Sequence, residues 1–120
     1  MPMLNDCNFI GRCGKKPSLQ KAADERPFLR FSLAIDQGKD KQGNEKEPMW
    51  LTIVCFGKLA ELMAEMLTQG AQLFVKGRLQ KSTYTDREGV KRESVAIEAL
   101  DIQVFEKRQA ESAGSQEGSP

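Results

Sequence analysis

The stretch Met49–Leu67, MWLTIVCFGKLAELMAEML, changes its hydrophobic period at Gly57. Before this glycine every second residue is apolar on one face, namely Met49, Leu51, Ile53 and Cys55. After it, apolar residues recur three and four positions apart, at Leu59, Leu62, Met63, Met66 and Leu67. The first spacing is typical of a strand and the second of an amphipathic helix. The sequence therefore predicts a strand over 49–56, followed by a helix of about three turns with Gly70 as the stop residue beyond its C-terminus.

Period-two segments flank this strand and helix on both sides. These segments are Cys7 to Arg12, Phe28 to Asp36, Ala71 to Thr83 and Lys91 to Phe105. In the fourth strand, Leu73, Val75, Gly77 and Leu79 are predicted to face inward. Five strands with one helix between the third and fourth make an all-β protein with the layout of the OB-fold, a small and partly open barrel.

Composition sets the domain organisation. The chain has 120 residues, of which 39% are hydrophobic and 29% charged, as expected for one globular domain. Residues 109–120, QAESAGSQEGSP, lack the apolar side chains needed to offset ordering entropy, so we expect a flexible polar tail after a domain of residues 1–108. Neither a secretory signal nor an apolar run of membrane-spanning length is visible, which predicts a cytoplasmic protein without membrane contact.

The chain contains no histidine, which excludes the usual general base and imidazole-based zinc sites. Its three cysteines are Cys7, Cys13 and Cys55, and we interpret them as reduced thiols that pack as small apolar residues. No phosphate-cradling glycine loop or metal-ligand cluster is present. The sequence predicts a binding protein rather than an enzyme, with no cofactor and no metal.

Three aromatic residues fall where an OB barrel would expose them. Trp50 and Phe56 project from the face of the third strand that Met49, Leu51 and Ile53 do not occupy, and Tyr84 lies among polar residues near the last hairpin. Each ring has the alternative role of an ordinary core aromatic. Unpaired nucleobases stack on such rings, each contributing about 1–3 kcal/mol.

Basic residues accompany the aromatic ones, although the net charge is only +1. A solvated surface is the alternative interpretation for any single one of them. As a set they are candidates for phosphate contacts at the edges of a binding groove. The candidates are Arg12, Arg30, Lys39, Lys58, Lys76, Arg78, Lys81 and Arg92.

Several segments between Asn8 and Phe105 resemble the bacterial single-stranded DNA-binding proteins (SSB). The most specific match is WLTIVCFGKLAE at Trp50–Glu61, followed by Gly70. Further matching segments are Gly11-Arg12-Cys13-Gly14 with Pro17, Phe31–Ile35, Val75–Leu79, and Tyr84-Thr85-Asp86 with Gly89.

The resemblance implies an OB-fold, a homotetramer, and binding of single-stranded DNA without sequence preference and without enzymatic activity. It places the stacking positions of the family on Trp50, Phe56 and Tyr84. It also implies a role in DNA replication, recombination or repair, and a location with the nucleoid.

The sequence departs from the family pattern in three places. Gly38-Lys39-Asp40 stands where relatives often carry another stacking tryptophan, which makes Lys39 a substitute phosphate contact, and Gln80 and Ser82 stand where relatives often have arginine. The sequence ends Gln116–Pro120 without the acidic and apolar tip by which relatives recruit replication or recombination proteins. These departures leave an alternative function open, that of an OB-fold adaptor similar to the primosomal replication protein N.

Oligomerisation is expected on physical grounds. A barrel of this size buries its apolar surface incompletely, and the edges of its long first and last strands are apolar. We therefore expect a symmetric homo-oligomer, a tetramer in preference to a dimer, with contacts from Ile10, Leu100, Ile102, Val104 and Phe105.

Overall fold

The computed structural model describes residues 3–106, most of which lie in strands. The predicted tail, residues 109–120, falls outside the described residues. The strands are β1 (Cys7–Cys13), β2 (Gln20–Lys21), β3 (Pro27–Ile35), β4 (Met49–Phe56), β5 (Gln72–Thr85) and β6 (Lys91–Glu106). One helix, α1 (Gly57–Met66), joins β4 to β5 in this part of the chain.

The strands form one sheet that closes on itself. Their order is β1-β5-β6-β4-β3-β2, and an additional pairing of β1 with β3 completes the barrel. All pairs are antiparallel except β4 with β6, whose parallel contact pairs Ile53 with Ile97 and Val54 with Glu98. The all-β barrel with one helix before its last two strands confirms the predicted class.

The strand count differs from the prediction by one. β2 has only two residues, Gln20 and Lys21, which pair with Phe28 and Pro27 of β3. A two-residue strand is too short to show a hydrophobic period, so the sequence pattern missed it. The helix consequently lies between the fourth and fifth strands rather than between the third and fourth.

Alternate residues of the strands build the core. Leu29, Phe31 and Leu33 of β3 are buried, as are Ile53 and Cys55 of β4 and Leu73 and Val75 of β5. Their neighbours in sequence face outward because successive side chains of a strand point to opposite faces. Burial of this alternating set confirms the inward faces predicted for these segments.

The helix covers one end of the core through a narrower set of residues than its sequence pattern predicts. Ala60, Met63 and the following Leu67 are buried, whereas Leu62 is exposed. The helix has the predicted length of about three turns, but it ends at Met66 and Leu67 has extended backbone, so Gly70 is not its stop residue. Leu62 does not belong to the buried face because it lies about 100° around the helix from Met63.

Beyond the barrel, β5 and β6 continue as a two-stranded arm. Leu79 is paired with the buried Ile97 and so projects from the inner face as predicted, but its side chain is exposed. In contrast, Ile102 is buried in the barrel core and Val104 packs against that core. These two residues are therefore core residues, contrary to the expectation that they are apolar edge contacts.

Closure of the barrel depends on Gly11. A Cβ atom at this position would collide with the carbonyl oxygen of Ala34 and would lie 2.8 Å from the Ile35 side chain. Only glycine lets β1 cross β3 this closely.

No helix of residues 3–106 is long and apolar enough to cross a membrane.

Candidate nucleic-acid interface

The outer face of β3 and β4 carries both of the rings predicted on the third strand. Trp50 is paired with Ala34, and Phe56 is paired with Phe28, across the β3–β4 ladder. Trp50 and Phe56 are an even number of positions apart on β4, so both rings project from the same face of the sheet. They are six positions apart, which corresponds to about 20 Å along β4.

Trp50 forms one wall of an open groove of about 520 Å³. Its side chain is 58% exposed, which excludes the alternative role of a core aromatic. A Cβ atom on Gly14 would lie 3.3 Å from Cζ3 of the indole, so the glycine lets the β1–β2 connection approach the edge of the ring. Other groove residues are Lys15, Lys16, Arg30, Ser32 and Gln69.

Two predicted basic residues lie close to this tryptophan. Arg12 of β1 is paired with Ala34, which in turn is paired with Trp50, so the three residues form one row across three strands. The Arg12 guanidinium donates a hydrogen bond of 2.9 Å to the carbonyl oxygen of Gly70. Arg30 lines the groove itself and makes no ion pair with any residue of the 3–106 range. The structure thus brings the Arg30 side chain to the exposed ring, while Arg12 lies in the same cross-strand row and lines a second cavity.

Phe56 is only partly available for stacking. Its ring lies 5.4 Å from the ring of Phe28, at an interplanar angle of 34°. The guanidinium carbon of Arg26 lies 4.5 Å from the centroid of Phe56, in a cation–π contact. A nucleobase would have to displace Arg26 or use the remaining surface of the ring. The sequence pattern did not identify Arg26, because its contact joins residues 30 positions apart.

Tyr84 lies near the tip of the arm, 54% exposed and paired with Arg92. Tyr84 and Arg78 are an even number of positions apart on β5, so both side chains project from the same face of the strand. Because Val54, Glu98 and Arg78 are successive partners across β4, β6 and β5, this face continues the outer face of β4. All three predicted rings therefore belong to one continuous side of the sheet.

The predicted basic residues of β5 and β6 differ from Arg30, because each of them has a carboxylate partner. Sequence inspection identified the cations but gave no signal for their partners, most of which are distant in sequence. The nitrogen-to-oxygen distances are 3.2 Å for Lys76–Asp6, 3.7 Å for Arg78–Glu98, 3.1 Å for Lys81–Glu93 and 2.9 Å for Arg92–Asp86.

Asp86 organises the turn between β5 and β6. One carboxylate oxygen accepts a hydrogen bond from the Arg92 side chain at 2.9 Å, and the other accepts from the backbone N–H groups of Glu88 and Val90. The bond from Arg92, followed by that from Val90, lowers the pKa of Asp86 below its ordinary value. Arg92 therefore orders this turn in the free protein.

The last two predicted cations lie apart from the groove walls. Lys39 is in the long loop after β3, where it forms a short bridge with Glu45. Lys58 is exposed in the first turn of α1, two residues after Phe56. Among the described residues, neither of the two forms an ion pair.

Lys15 and Gln69 are groove residues that the sequence did not single out. Lys15 follows Gly14 in the connection after β1, whose path is set by a 2.8 Å hydrogen bond from the Gly14 N–H to the Ser32 carbonyl. Their only sequence signal is proximity to the family-like Gly14 and Gly70.

No group of three or more metal-ligating side chains occurs within residues 3–106.

Known proteins resemble this chain over most of its length. The Single-strand binding protein family matches residues 4–114. "Single-stranded DNA-binding protein 1" of Xylella fastidiosa is 38% identical, with 91% of this chain and 82% of that protein covered. The protein of the same name from Chlorobaculum tepidum is 34% identical, over 85% of this chain and 65% of its own length.

A solved structure supports the fold. "Plasmodium falciparum SSB complex with ssDNA" superposes with a TM-score of 0.77 at 20% identity, covering 88% of this chain and 98% of that one. The agreement in architecture extends to nearly the whole barrel. The family match and the sequence identities to bacterial relatives show that this chain belongs to the single-strand binding protein family.

Proposed function

We propose that this protein binds single-stranded DNA without sequence preference, through base stacking and phosphate neutralisation. The observation that carries the proposal is Trp50, whose indole is 58% exposed beside a groove lined by Arg30 and Lys15. An exposed aromatic ring in a cationic groove fits an unpaired base with its adjacent phosphates. A base in a duplex would not fit, because both faces of its ring are already stacked.

The binding residues that we propose fall into two groups. The first surrounds Trp50 and consists of Arg12, Arg30 and the groove residue Lys15. The second extends over Phe56, Lys58 and the arm with Tyr84. Because the cations of the arm are paired with carboxylates, we expect Arg30 and Lys15 to supply most of the phosphate contacts and the second group mainly stacking surface.

The proposed cellular role follows from this binding mode. A protein that covers unpaired DNA without reading its sequence protects it during replication, recombination or repair. We place the activity in residues 1–108 and the protein with the DNA of the nucleoid. The exposed ring in a groove lined by Arg30 and Lys15 favours this role over that of an adaptor acting mainly through protein partners.

We further propose that the protein works as a symmetric homo-oligomer, with a tetramer as the expected form. Within the described barrel, β1 pairs with β3 only at Arg12 and Cys13, which leaves the edge of Cys7–Gly11 open. Ile10, Leu100 and Phe105 are each more than half exposed. An open strand edge with apolar neighbours favours pairing with a second copy.

Titration with oligo-dT tests the function directly. Trp50 is the only tryptophan of the chain, so all of the tryptophan fluorescence comes from this ring, and stacking of a base on it should quench that fluorescence. A duplex of the same length should quench far less. If oligo-dT produces neither quenching nor a mobility shift at low salt, the proposed function is wrong.

A further inference from the structure

A carboxylate lies within the proposed DNA-binding face. Arg30, Val54, Glu98 and Arg78 are successive cross-strand partners on β3, β4, β6 and β5. Their side chains share the outer side of the sheet, the side that carries Trp50. Glu98 thus lies between two predicted phosphate ligands, in a surface that is expected to receive a polyanion.

Contacts with neighbouring side chains fix Glu98 in this position. The Gln80 amide donates a 2.9 Å hydrogen bond to Oε1 of Glu98. The same oxygen lies 3.7 Å from Nη2 of Arg78. Side-chain exposure is 26% for Glu98 and 49% for Arg78, so the carboxylate is the less accessible member of the pair.

We propose that Glu98 acts as an internal substitute for a phosphate group and thereby sets the affinity of this part of the DNA-binding face. This inference rests on the proposed function. In the free protein Glu98 partly neutralises Arg78, and a phosphate that approaches Arg78 is repelled by the carboxylate. DNA therefore gains less from Arg78 than from Arg30, which has no ion-pair partner among residues 3–106.

Geometry supports competition rather than permanent blockage. A separation of 3.7 Å is longer than a hydrogen bond, so charge attraction holds Arg78 beside Glu98 without a directed bond. The guanidinium group keeps donors that a phosphate can use. Because Gln80 holds the carboxylate, Arg78 is the partner that is free to turn toward DNA.

The other carboxylate pairs of β5 and β6 do not occupy this row. Lys81–Glu93 and Arg92–Asp86 lie further out on the arm. Lys76 is paired across the strands with Asn8 and Asp101, which is a different row of the barrel. Among the ion pairs of the described residues, Arg78–Glu98 is therefore the pair in line with Arg30 and β4.

The test compares Glu98→Gln with Asp101→Asn. Both remove one negative charge from β6, and both substitutions preserve side-chain size. Glu98→Gln also keeps an oxygen that can accept the hydrogen bond from Gln80. Affinity for a dT oligomer of about 16 nucleotides, near the upper footprint of one OB domain, is measured at several salt concentrations from about 50 to about 200 mM.

We expect Glu98→Gln to bind dT about two- to fivefold more tightly at low salt, the range for an exposed charge contact. Its log–log salt slope should become steeper by about 0.7, which corresponds to one more phosphate contact. Asp101→Asn should change both quantities much less. Arg78→Gln should have a small effect in the wild-type protein but abolish the gain when combined with Glu98→Gln.

Three results would overturn the inference. They are an unchanged or weaker affinity of Glu98→Gln, an equal gain from Asp101→Asn, and a gain that persists without Arg78. Failure of the wild-type protein to bind dT at all would instead contradict the proposed function, so the two failures are distinguishable.

Discussion

The ammonium group of Lys16 donates a 2.9 Å hydrogen bond to the carbonyl oxygen of Leu67, directly after the end of α1. A second bond of 3.0 Å reaches the carbonyl of Ala64. Lys16 thus binds the carbonyl groups that a helix leaves unpaired at its C-terminus. The contact ties the connection after β1, which forms part of the Trp50 groove, to the helix.

Lys16→Met should therefore lower the free energy of unfolding by about 1 kcal/mol, because it removes a cation and two hydrogen bonds from the helix end. Urea denaturation measures the change. Lys15→Met is the matched control: the Lys15 side chain lines the groove but makes no hydrogen bond or ion pair with the described residues. It should leave stability unchanged and weaken dT binding. Unchanged stability in Lys16→Met together with lowered stability in Lys15→Met would contradict these assignments.

Trp50→Ala should weaken binding of all single-stranded sequences about equally, by about 1–3 kcal/mol, since a ring face carries no base-specific hydrogen bonds. The fold should tolerate it, with unfolding changed by no more than about 0.5 kcal/mol, because the side chain is 58% exposed. Anisotropy with labelled dT and dA oligomers measures affinity without tryptophan fluorescence. An unaffected affinity would exclude Trp50 from the interface.

The turn that Asp86 organises should be sensitive to acid. The hydrogen bond from Arg92 is the main cause that lowers the pKa of Asp86 in the folded protein below its ordinary value of 3.8. The ionised carboxylate therefore stabilises the turn fully at pH values above that ordinary pKa, and this stabilisation is lost as the pH falls through the lower pKa of the folded state. Amide exchange of residues 84–92 should show less protection near pH 3 than near pH 6, after correction for intrinsic rates. Asp86→Asn should show the lower protection at both values. Equal protection in wild type and variant near pH 6 would contradict this role.

Thiol reactivity should distinguish the three cysteines. Burial raises the pKa of both Cys13 and Cys55 to about 11, whereas Cys7 is only half-buried. Because the thiolate is the reactive form, a thiol reagent at pH 8 should modify Cys7 first and the other two only after unfolding. Because folding raises the pKa of these two thiols, they contribute fully to the free energy of unfolding below the unfolded pKa near 9. This contribution decreases as the pH rises toward 11. Mass spectrometry of peptides from the folded protein would contradict the prediction if Cys55 reacted as fast as Cys7.

Sedimentation equilibrium should give a mass about four times the 13.4 kDa of one chain. Ile10→Asp should reduce that mass, since it places a charge beside the open edge of β1. Leu62→Asp is the control, because Leu62 is an equally exposed apolar residue on α1. A wild-type mass near 13.4 kDa would refute the oligomer.

The sequence by itself determined the five longer strands, the presence of the helix and the exposure of Trp50. Alternation around Trp50 distinguished an inner face of Leu51, Ile53 and Cys55 from an outer face, because a strand has a period of two and one face must be buried. The same local patterns were sufficient for family membership. They failed at β2, which is too short to have a period, and at Leu62, whose position relative to the core depends on how the helix docks.

Tertiary structure alone decided which charges meet. Lys16 reaches Leu67 and Arg26 covers Phe56 through contacts between residues far apart in sequence. Glu98 meets Arg78 because the register of β5 and β6 places them opposite each other. Strand order, register and loop path set such distances, and none of them leaves a periodic trace in the amino-acid sequence. The availability of each cation for DNA therefore follows from the folded barrel and not from the list of basic residues.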